Sequence, residues 1–237
     1  MALASSTEFP DFTPEPTTPE DVQRWLESAM ARAERVFDAL KQRRDRVREA
    51  DRGLVDQVLA LRADLQDFLN ALLPPGIDCL KIRHHGDFHL GQMLIVKDDI
   101  FVIDFEGEPR RPQAERRRKA PAARDVAGLI RSIDYSATAA FERALKASPD
   151  ETGRLGTALA EWRERAVTAF VGAYREVMTN RELWPADPHA AERMLNFFLL
   201  EKAFYEIEYE LAYRPDWLRV PLSGVLRILS RQTSEAA

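Results

Sequence analysis

The 237-residue sequence predicts an α+β fold that is predominantly helical with one small β element, and three observations carry that reading. Apolar residues recur at three- and four-residue spacing through most of the chain, the period of a helix with one buried face. Only residues 80–105 break that rhythm, with short apolar runs around a turn-like Lys97-Asp98-Asp99. A composition of 45% hydrophobic and 31% charged residues allows a real core and excludes disorder throughout.

The elements follow in order. Pro10, Pro14, Pro16 and Pro19 crowd the start, so residues 1–18 read as an extended lead-in with few partners for its backbone. Thr18 caps a helix with Pro19 at its first position, where the missing N–H costs nothing. Val22, Trp25, Leu26, Ala29, Met30, Ala33, Val36, Phe37 and Leu40 give it an apolar stripe that fades into the charged run Lys41–Arg52 near Gly53. A second helix takes Leu54 to Leu72 and stops at Pro74-Pro75-Gly76.

LKIRHH from residue 80, MLIV at 93–96 and IFVID at 100–104 supply the β element, and residues 106–122 read as an exposed loop. Helices are expected at about 123–147, at about 149–181 behind a Ser148–Glu151 capping box, at about 188–213 behind Asp187-Pro188, and at about 221–231. Residues 19–231 thus form one body and 232–237 a tail. Trp25, Phe37, Phe68, Trp162, Phe197 and Phe198 are expected in the core.

Charge and cysteine content narrow the function. With 34 Lys and Arg against 39 Asp and Glu the net charge is −5, which argues against a general nucleic-acid binder. The single cysteine, Cys79, rules out an intrachain disulfide and a Cys-rich zinc site, so a reducing cytoplasm is the simplest home. No stretch approaches the roughly 20 apolar residues that span a bilayer, and no membrane role is expected.

The strongest chemical signal is His85-Gly86-Asp87-Phe88-His89-Leu90-Gly91-Gln92, followed by two apolar runs and Ile103-Asp104-Phe105-Glu106. Phosphoryl transfer needs a carboxylate to orient and deprotonate the attacking hydroxyl, and oxygen ligands to hold Mg²⁺ against nucleotide phosphates. Protein kinases supply these parts as H-R-D, an Asn five residues on, and a later D-F-G. The spacing here is the same, which casts Asp87 as the base, Gln92 as an amide-oxygen metal ligand, and Asp104 as the bridge between Mg²⁺ and the phosphates of ATP. Gly86 and Gly91 permit the tight loop. Two other readings stand beside it: a capped turn between strands, and a zinc or iron site made by His85, Asp87 and His89.

These motifs resemble the aminoglycoside-phosphotransferase-like kinases, whose loop reads HGDxHxxN, and within them the maltokinases, often fused to trehalose synthase. HGDFHLGQ, IDFEGEPRRP-x-x-ERR, RDVAGLIRSIDY (124–135) and EKAFYEIEYELAYRPDWLRVPL (201–222) carry the resemblance, which covers roughly residues 20 to 231. It implies a protein-kinase-like C-lobe whose small hairpin bears the catalytic and metal-binding loops, and transfer of the ATP γ-phosphate to maltose to give maltose 1-phosphate. It implies that His85 supports the loop or touches substrate, that His89 supports the loop, and that Asp125 anchors the loop from below.

Lys202, Tyr205, Glu206 and Tyr209 share one helix face, a mixture suited to a sugar or to an ordinary solvated surface. The resemblance to maltokinases makes that face the disaccharide site. Glu106 and Glu108 follow the metal aspartate directly, and Glu106 is the preferred further contact. Arg110, Arg111, Arg116, Arg117, Arg118 and Lys119 read as a solvated loop that can also meet nucleotide or a partner.

The resemblance also implies an N-terminal lobe with a phosphate-covering loop and a nucleotide lysine. Only 86 residues precede Asp87, they read helical, and no G-x-G-x-x-G or V-A-I-K equivalent occurs among them. The expectation is a C-lobe without its N-lobe, completed by a separate N-lobe or a trehalose synthase domain. The rival is a non-catalytic sugar-binding or docking module.

Overall fold

The computed structural model describes residues 10–109, 112–178 and 182–235. In chain order the helices are α1 (Pro19–Arg43), α2 (Glu49–Ala60), α3 (Leu65–Leu72), α4 (Gln113–Arg116), α5 (Ala123–Ala147), α6 (Thr152–Met178), α7 (Pro188–Tyr213) and α8 (Arg219–Glu235). The strands are β1 (Glu15–Pro16), β2 (Leu80–Ile82), β3 (Met93–Val96), β4 (Asp99–Val102) and β5 (Ala120–Pro121). The chain divides into two compact units. Of the described residues, the first takes those up to Pro16 together with those from Cys79 to Trp184, and the second takes Thr17–Asp78 and those from Pro185 onward.

In the second unit α1 opens with a capping box: Thr18 Oγ1 accepts the Asp21 N–H, and the Asp21 carboxylate accepts the Thr18 N–H. Its stripe of Val22, Trp25, Leu26, Ala29, Ala33, Val36, Phe37 and Leu40 is buried. Trp25 meets Phe198 of α7 edge-on at 5.8 Å between ring centroids, and Phe37 meets Phe204 at the same distance. Val55 and Val58 of α2, Leu65, Leu69 and Leu72 of α3, and Leu222 and Val225 of α8 complete this core.

The first helical break falls earlier than the sequence pattern suggests. The chain leaves α1 through a tight turn at Arg44–Arg46 and passes through the buried Val47, and Gly53 lies inside α2. Arginines build the turn. Arg44 grips Asp56 through two bonds of 2.6 Å, and Arg52 donates to the carbonyls of Asp45 and Val47, a role that hydrophobic periodicity does not reveal. The expected second helix is also interrupted, by a 3₁₀ turn at Leu61–Ala63 where Arg62 reaches back to Glu34 and Asp38 of α1.

In the first unit β1, β2 and β5 form an antiparallel sheet in the order β1-β2-β5, with Glu15 opposite Lys81 and Lys81 opposite Pro121. Part of the lead-in is therefore paired rather than unpartnered. Lys119 holds it, donating to the Thr13 carbonyl at 2.8 Å and pairing with Glu15, and this hydrogen bond pulls the Glu15 carboxyl below its ordinary range. The region expected as one exposed loop thus contains α4 and β5, with Arg116 and Lys119 half-buried and Arg117 and Arg118 exposed. Arg110 and Arg111 lie outside the described residues.

The hairpin β3–β4 pairs Met93 with Val102, Leu94 with Phe101, Ile95 with Ile100 and Val96 with Asp99. Its turn uses Lys97 at φ +56°. Helices α5 and α6 lie side by side, tied by a charged triad in which Arg131 and Arg163 each bond Asp134 at 2.6 Å. α6 shows no capping bond at Ser148, and its expected end at 181 lies outside the described residues. Trp162 is exposed on it, contrary to the core expectation, because the half-buried face runs through Leu155, Leu159, Arg163, Ala166, Phe170 and Tyr174. α8 starts two residues before the expected helix and reaches Glu235; Pro221 fits in its first turn.

Truncation of Phe204 to Ala opens a cavity beside Phe37 and is expected to lower the unfolding free energy by about 3–5 kcal/mol, whereas Trp162→Ala costs under about 1 kcal/mol. Urea denaturation followed by circular dichroism checks both.

Candidate active site

The HGDFHLGQ segment connects β2 to β3, and its shape is fixed by hydrogen bonds to its backbone. Asp125 stands in the first turn of α5, where the helix dipole favours a carboxylate. Its Oδ2 accepts the His85 N–H at 2.6 Å and its Oδ1 accepts the Gly86 N–H at 2.9 Å. One turn on, a Cβ at Gly128 would stand 2.6 Å from the Phe88 carbonyl oxygen, so only glycine lets the loop lie this close to the helix. One further turn on, Ser132 Oγ accepts the Leu90 N–H at 3.1 Å. Residues 125, 128 and 132 form a rail along one face of α5.

His85 is buried between Phe88 and Phe105, with ring centroids 5.4 and 5.1 Å away. Its Nε2 lies 2.8 Å from the Ile103 carbonyl, which can only accept, so that nitrogen carries the proton. Nδ1 then accepts the Asp87 N–H at 3.4 Å. His85 therefore links the HGDFHLGQ loop to the residue that follows β4. Both His85 ring nitrogens are thus engaged by backbone groups. His89 Nδ1 caps the short turn Leu90–Gln92 by accepting the Gly91 N–H at 3.0 Å, which leaves its Nε2 4.0 Å from Asp87 Oδ2. Gly91 carries no positive φ, but a Cβ there would stand 2.9 Å from the His89 ring, so the loop needs glycine for space.

Asp104 sits at φ +62°, a left-handed conformation that few non-glycine residues adopt and in which Asn and Asp are enriched. Gly86 at φ +83° and Gly107 at φ +78° let the two loops cross, and a Cβ on Gly86 would approach the Gly107 Cα to 3.2 Å. This crossing sets Gln92 Nε2 2.9 Å from Asp104 Oδ2. A carboxylate only accepts, so the amide turns its nitrogen, not its oxygen, toward Asp104. Rotation about the soft terminal torsion exchanges the two.

With its amide turned over, Gln92 would join Asp104 in offering hard oxygen donors from two loops, the kind of set Mg²⁺ accepts, since it takes one or two protein ligands and leaves the rest to phosphate and water. Among the described residues no group of three His, Cys, Asp or Glu side chains is placed to hold a metal ion. The zinc or iron alternative built on His85, Asp87 and His89 is not met by this geometry, because both His85 nitrogens face backbone.

Behind the loop, burial and, second to it, the Asp125 carboxylate push the Tyr174 phenol up to about 12, so Asp125 faces a neutral hydroxyl at all ordinary pH. The exposed Glu106 accepts a bond from Arg116 at its carbonyl, 3.2 Å, with its carboxylate 4.0 Å from the same guanidinium.

The expected sugar-face residues lie in the second unit, on α7. Lys202 Nζ stands 4.8 Å from the Tyr205 ring centroid and Arg32 5.2 Å from it, while Arg214 stacks on Tyr209 at 5.1 Å. Glu206 is buried, and Lys202, Tyr205 and Tyr209 are half-buried. Gly128, Ser132 and Tyr174 were not singled out from the sequence. The first two had a signal, since they follow Asp125 at spacings of three and seven within the noted motif RDVAGLIRSIDY.

No protein-family model matches the chain. A glucosamine kinase of Mycolicibacterium smegmatis (strain ATCC 700084 / mc(2)155) is 30% identical over 225 residues, covering 94% of this chain and 50% of that protein. The homologues of this chain are sugar kinases. A glucosamine kinase of Streptacidiphilus jiangxiensis is 30% identical over 137 residues, 58% of this chain and 29% of its own length. Among solved structures, a glucosamine kinase in complex with glucosamine, ADP and inorganic phosphate matches with a TM-score of 0.75 at 25% identity, over 94% of this chain and 51% of that one. A further crystal form of glucosamine kinase gives 0.72 at 25% identity, over 92% and 47%. The chain thus spans about half the length of the sugar kinases it matches from end to end.

Loss of the Asp125 carboxylate removes two charge-assisted backbone bonds. Asp125→Ala is therefore expected to speed amide exchange at His85 and Gly86 by about 10- to 100-fold, while Ser132→Ala speeds it at Leu90 alone. Hydrogen exchange followed by NMR reads all three amides.

Proposed function

We propose that this chain is the kinase-like C-lobe of an ATP-dependent sugar kinase. The observation that carries the proposal is the Asp125-anchored loop, which presents Asp87 three residues before a capped turn and brings Gln92 against Asp104, in a chain whose homologues are sugar kinases. In this reading Asp87 orients the acceptor hydroxyl and takes its proton as the phosphoryl group transfers. Gln92, its amide turned over, and Asp104 hold Mg²⁺, which when bound offsets the phosphate charge. His85, His89 and Asp125 keep the loop in register, and Glu106 lies next to the metal aspartate. Lys202, Tyr205, Glu206 and Tyr209 are assigned to the sugar.

The acceptor we assign is maltose, giving maltose 1-phosphate in α-glucan metabolism, on the strength of the maltokinase-like segments 103–117 and 201–222. A second acceptor, glucosamine, is favoured by the names of the relatives. Because the chain matches only half of those proteins, we assign the nucleotide site in part to a partner, a separate N-lobe or a trehalose synthase domain. A location in the cytoplasm fits this chemistry; among the described residues no helix is long and apolar enough to cross a membrane.

ADP release with ATP, Mg²⁺ and a panel of maltose, glucosamine, glucose and trehalose tests the reading, first with the chain alone and then with the completing lobe added. Sugar-dependent release is expected in the completed protein, with a loss of at least about 100-fold in Asp87→Asn. Full turnover by that variant would refute the base assignment. Sugar binding without release under every condition would favour the non-catalytic module.

A further inference from the structure

The HGDFHLGQ loop is held to α5 at three places, and the places divide its work. Asp125 bonds the His85 and Gly86 amides, directly before Asp87, and Gly128 makes room for the Phe88 carbonyl, directly after it. Ser132, two helical turns beyond Asp125, bonds the Leu90 amide, at the first residue of the 3₁₀ turn Leu90–Gln92. The leading N–H groups of such a turn need acceptors from outside it. His89 supplies two of them: its Nδ1 accepts the Gly91 N–H and its carbonyl accepts the Gln92 N–H. The Leu90 N–H goes instead to Ser132 Oγ at 3.1 Å, so the hydroxyl ties this turn to the helix.

Gln92 ends that turn. Its carbonyl accepts the Ile103 N–H at 3.0 Å, and its side-chain amide meets Asp104 Oδ2 at 2.9 Å. The place of Gln92 is therefore set from two sides, by Ile103 next to Asp104 in the chain and by the turn that Ser132 holds. Without the Ser132 bond the amide of the exposed Leu90 turns to water, and the turn pivots away from α5 with its internal bonds intact. Mg²⁺ demands near-ideal geometry at a short distance, so a small displacement of one donor weakens its hold. Resting on the sugar-kinase reading above, we propose that Ser132 is a positioning residue for Gln92. Its hydroxyl keeps the metal-side turn of the loop in register with Asp104, while Asp125 does the same for the Asp87 side, and the two anchors act separately.

The test uses the full ¹⁵N-labelled chain as wild type, Ser132→Ala and Ser132→Thr. Alanine is the best helix former, so the first variant removes the acceptor without weakening α5, and threonine returns a hydroxyl to the same position. Two signals are read by NMR: the side-chain amide of Gln92 in the free protein, and the Mn²⁺–ADP concentration that half-broadens the Asp104 amide. In Ser132→Ala the Gln92 side-chain signal is expected to move toward that of a free glutamine and the Mn²⁺–ADP affinity to fall about 3- to 10-fold, the effect of one neutral hydrogen bond, with both restored in Ser132→Thr. Hydrogen exchange at His85 and Gly86 keeps its wild-type rate. An unchanged Gln92 signal or affinity in Ser132→Ala, no restoration by threonine, or faster exchange at His85 and Gly86 overturns the proposal. The kinase reading fails by a different result. Wild-type protein in which Mn²⁺–ADP broadens neither Gln92 nor Asp104 refutes the metal seat and this proposal with it, whereas a wild-type seat that Ser132→Ala leaves intact refutes this proposal alone.

Discussion

One carboxylate organises the chemistry of the first unit. Asp125 accepts the backbone N–H groups of two consecutive residues, His85 and Gly86, and thereby fixes the direction in which the chain leaves β2. Bonds from a carboxylate to backbone amides are roughly twice as strong as neutral ones, and the first turn of α5 adds the favourable end of its dipole. From that anchor the loop is carried along α5 by the glycine gap at Gly128 and the Ser132 hydroxyl. Its side chains then fall where they do: His85 buried between two phenylalanines, Asp87 half-buried beside His89, and Gln92 against Asp104. The left-handed backbone of Asp104 costs on the order of 1–3 kcal/mol, and it persists because the Gly86–Gly107 crossing and the His85 bond to Ile103 hold the strand end in place.

The second unit works by a different principle. Its α1, α7 and α8 bury large aromatic and aliphatic side chains, and its arginines close turns and cover tyrosine rings on α7. Cations stand 4.8–5.2 Å from the Tyr205 and Tyr209 ring centroids, within cation–π range. The proposal assigns the sugar to this face on the resemblance of segment 201–222 to maltokinases.

Much of the fold was legible because periodicity is a property of single elements. The stripe of α1, the Thr18 cap, the Asp187-Pro188 start of α7 and the hairpin strands each announce themselves locally. What escaped reading depends on long-range partners. The turn after Arg43 is made by arginines reaching residues up to 12 positions away, the pairing of Glu15 depends on Lys119, and Trp162 is exposed because α6 presents its other face. The site divides in the same way. The order and spacing of Asp87, Gln92 and Asp104 raise the expectation of a phosphotransfer loop from the linear sequence, yet the buried setting of His85 and the amide orientation of Gln92 follow from contacts with Phe105, Ile103 and Asp104 across the hairpin. Sugar identity was read from motifs alone, and the relatives carry a different sugar in their names.

The central claim is that the crossing of the two loops makes Gln92 and Asp104 one metal–nucleotide seat. Paramagnetic Mn²⁺ with ADP, titrated into ¹⁵N-labelled protein, measures this directly, since amides near the ion broaden first. The account predicts selective loss of the Gln92, Asp104 and Phe105 signals, abolished in Asp104→Asn and retained in Asp87→Asn. Broadening centred elsewhere, or unchanged in Asp104→Asn, would contradict it.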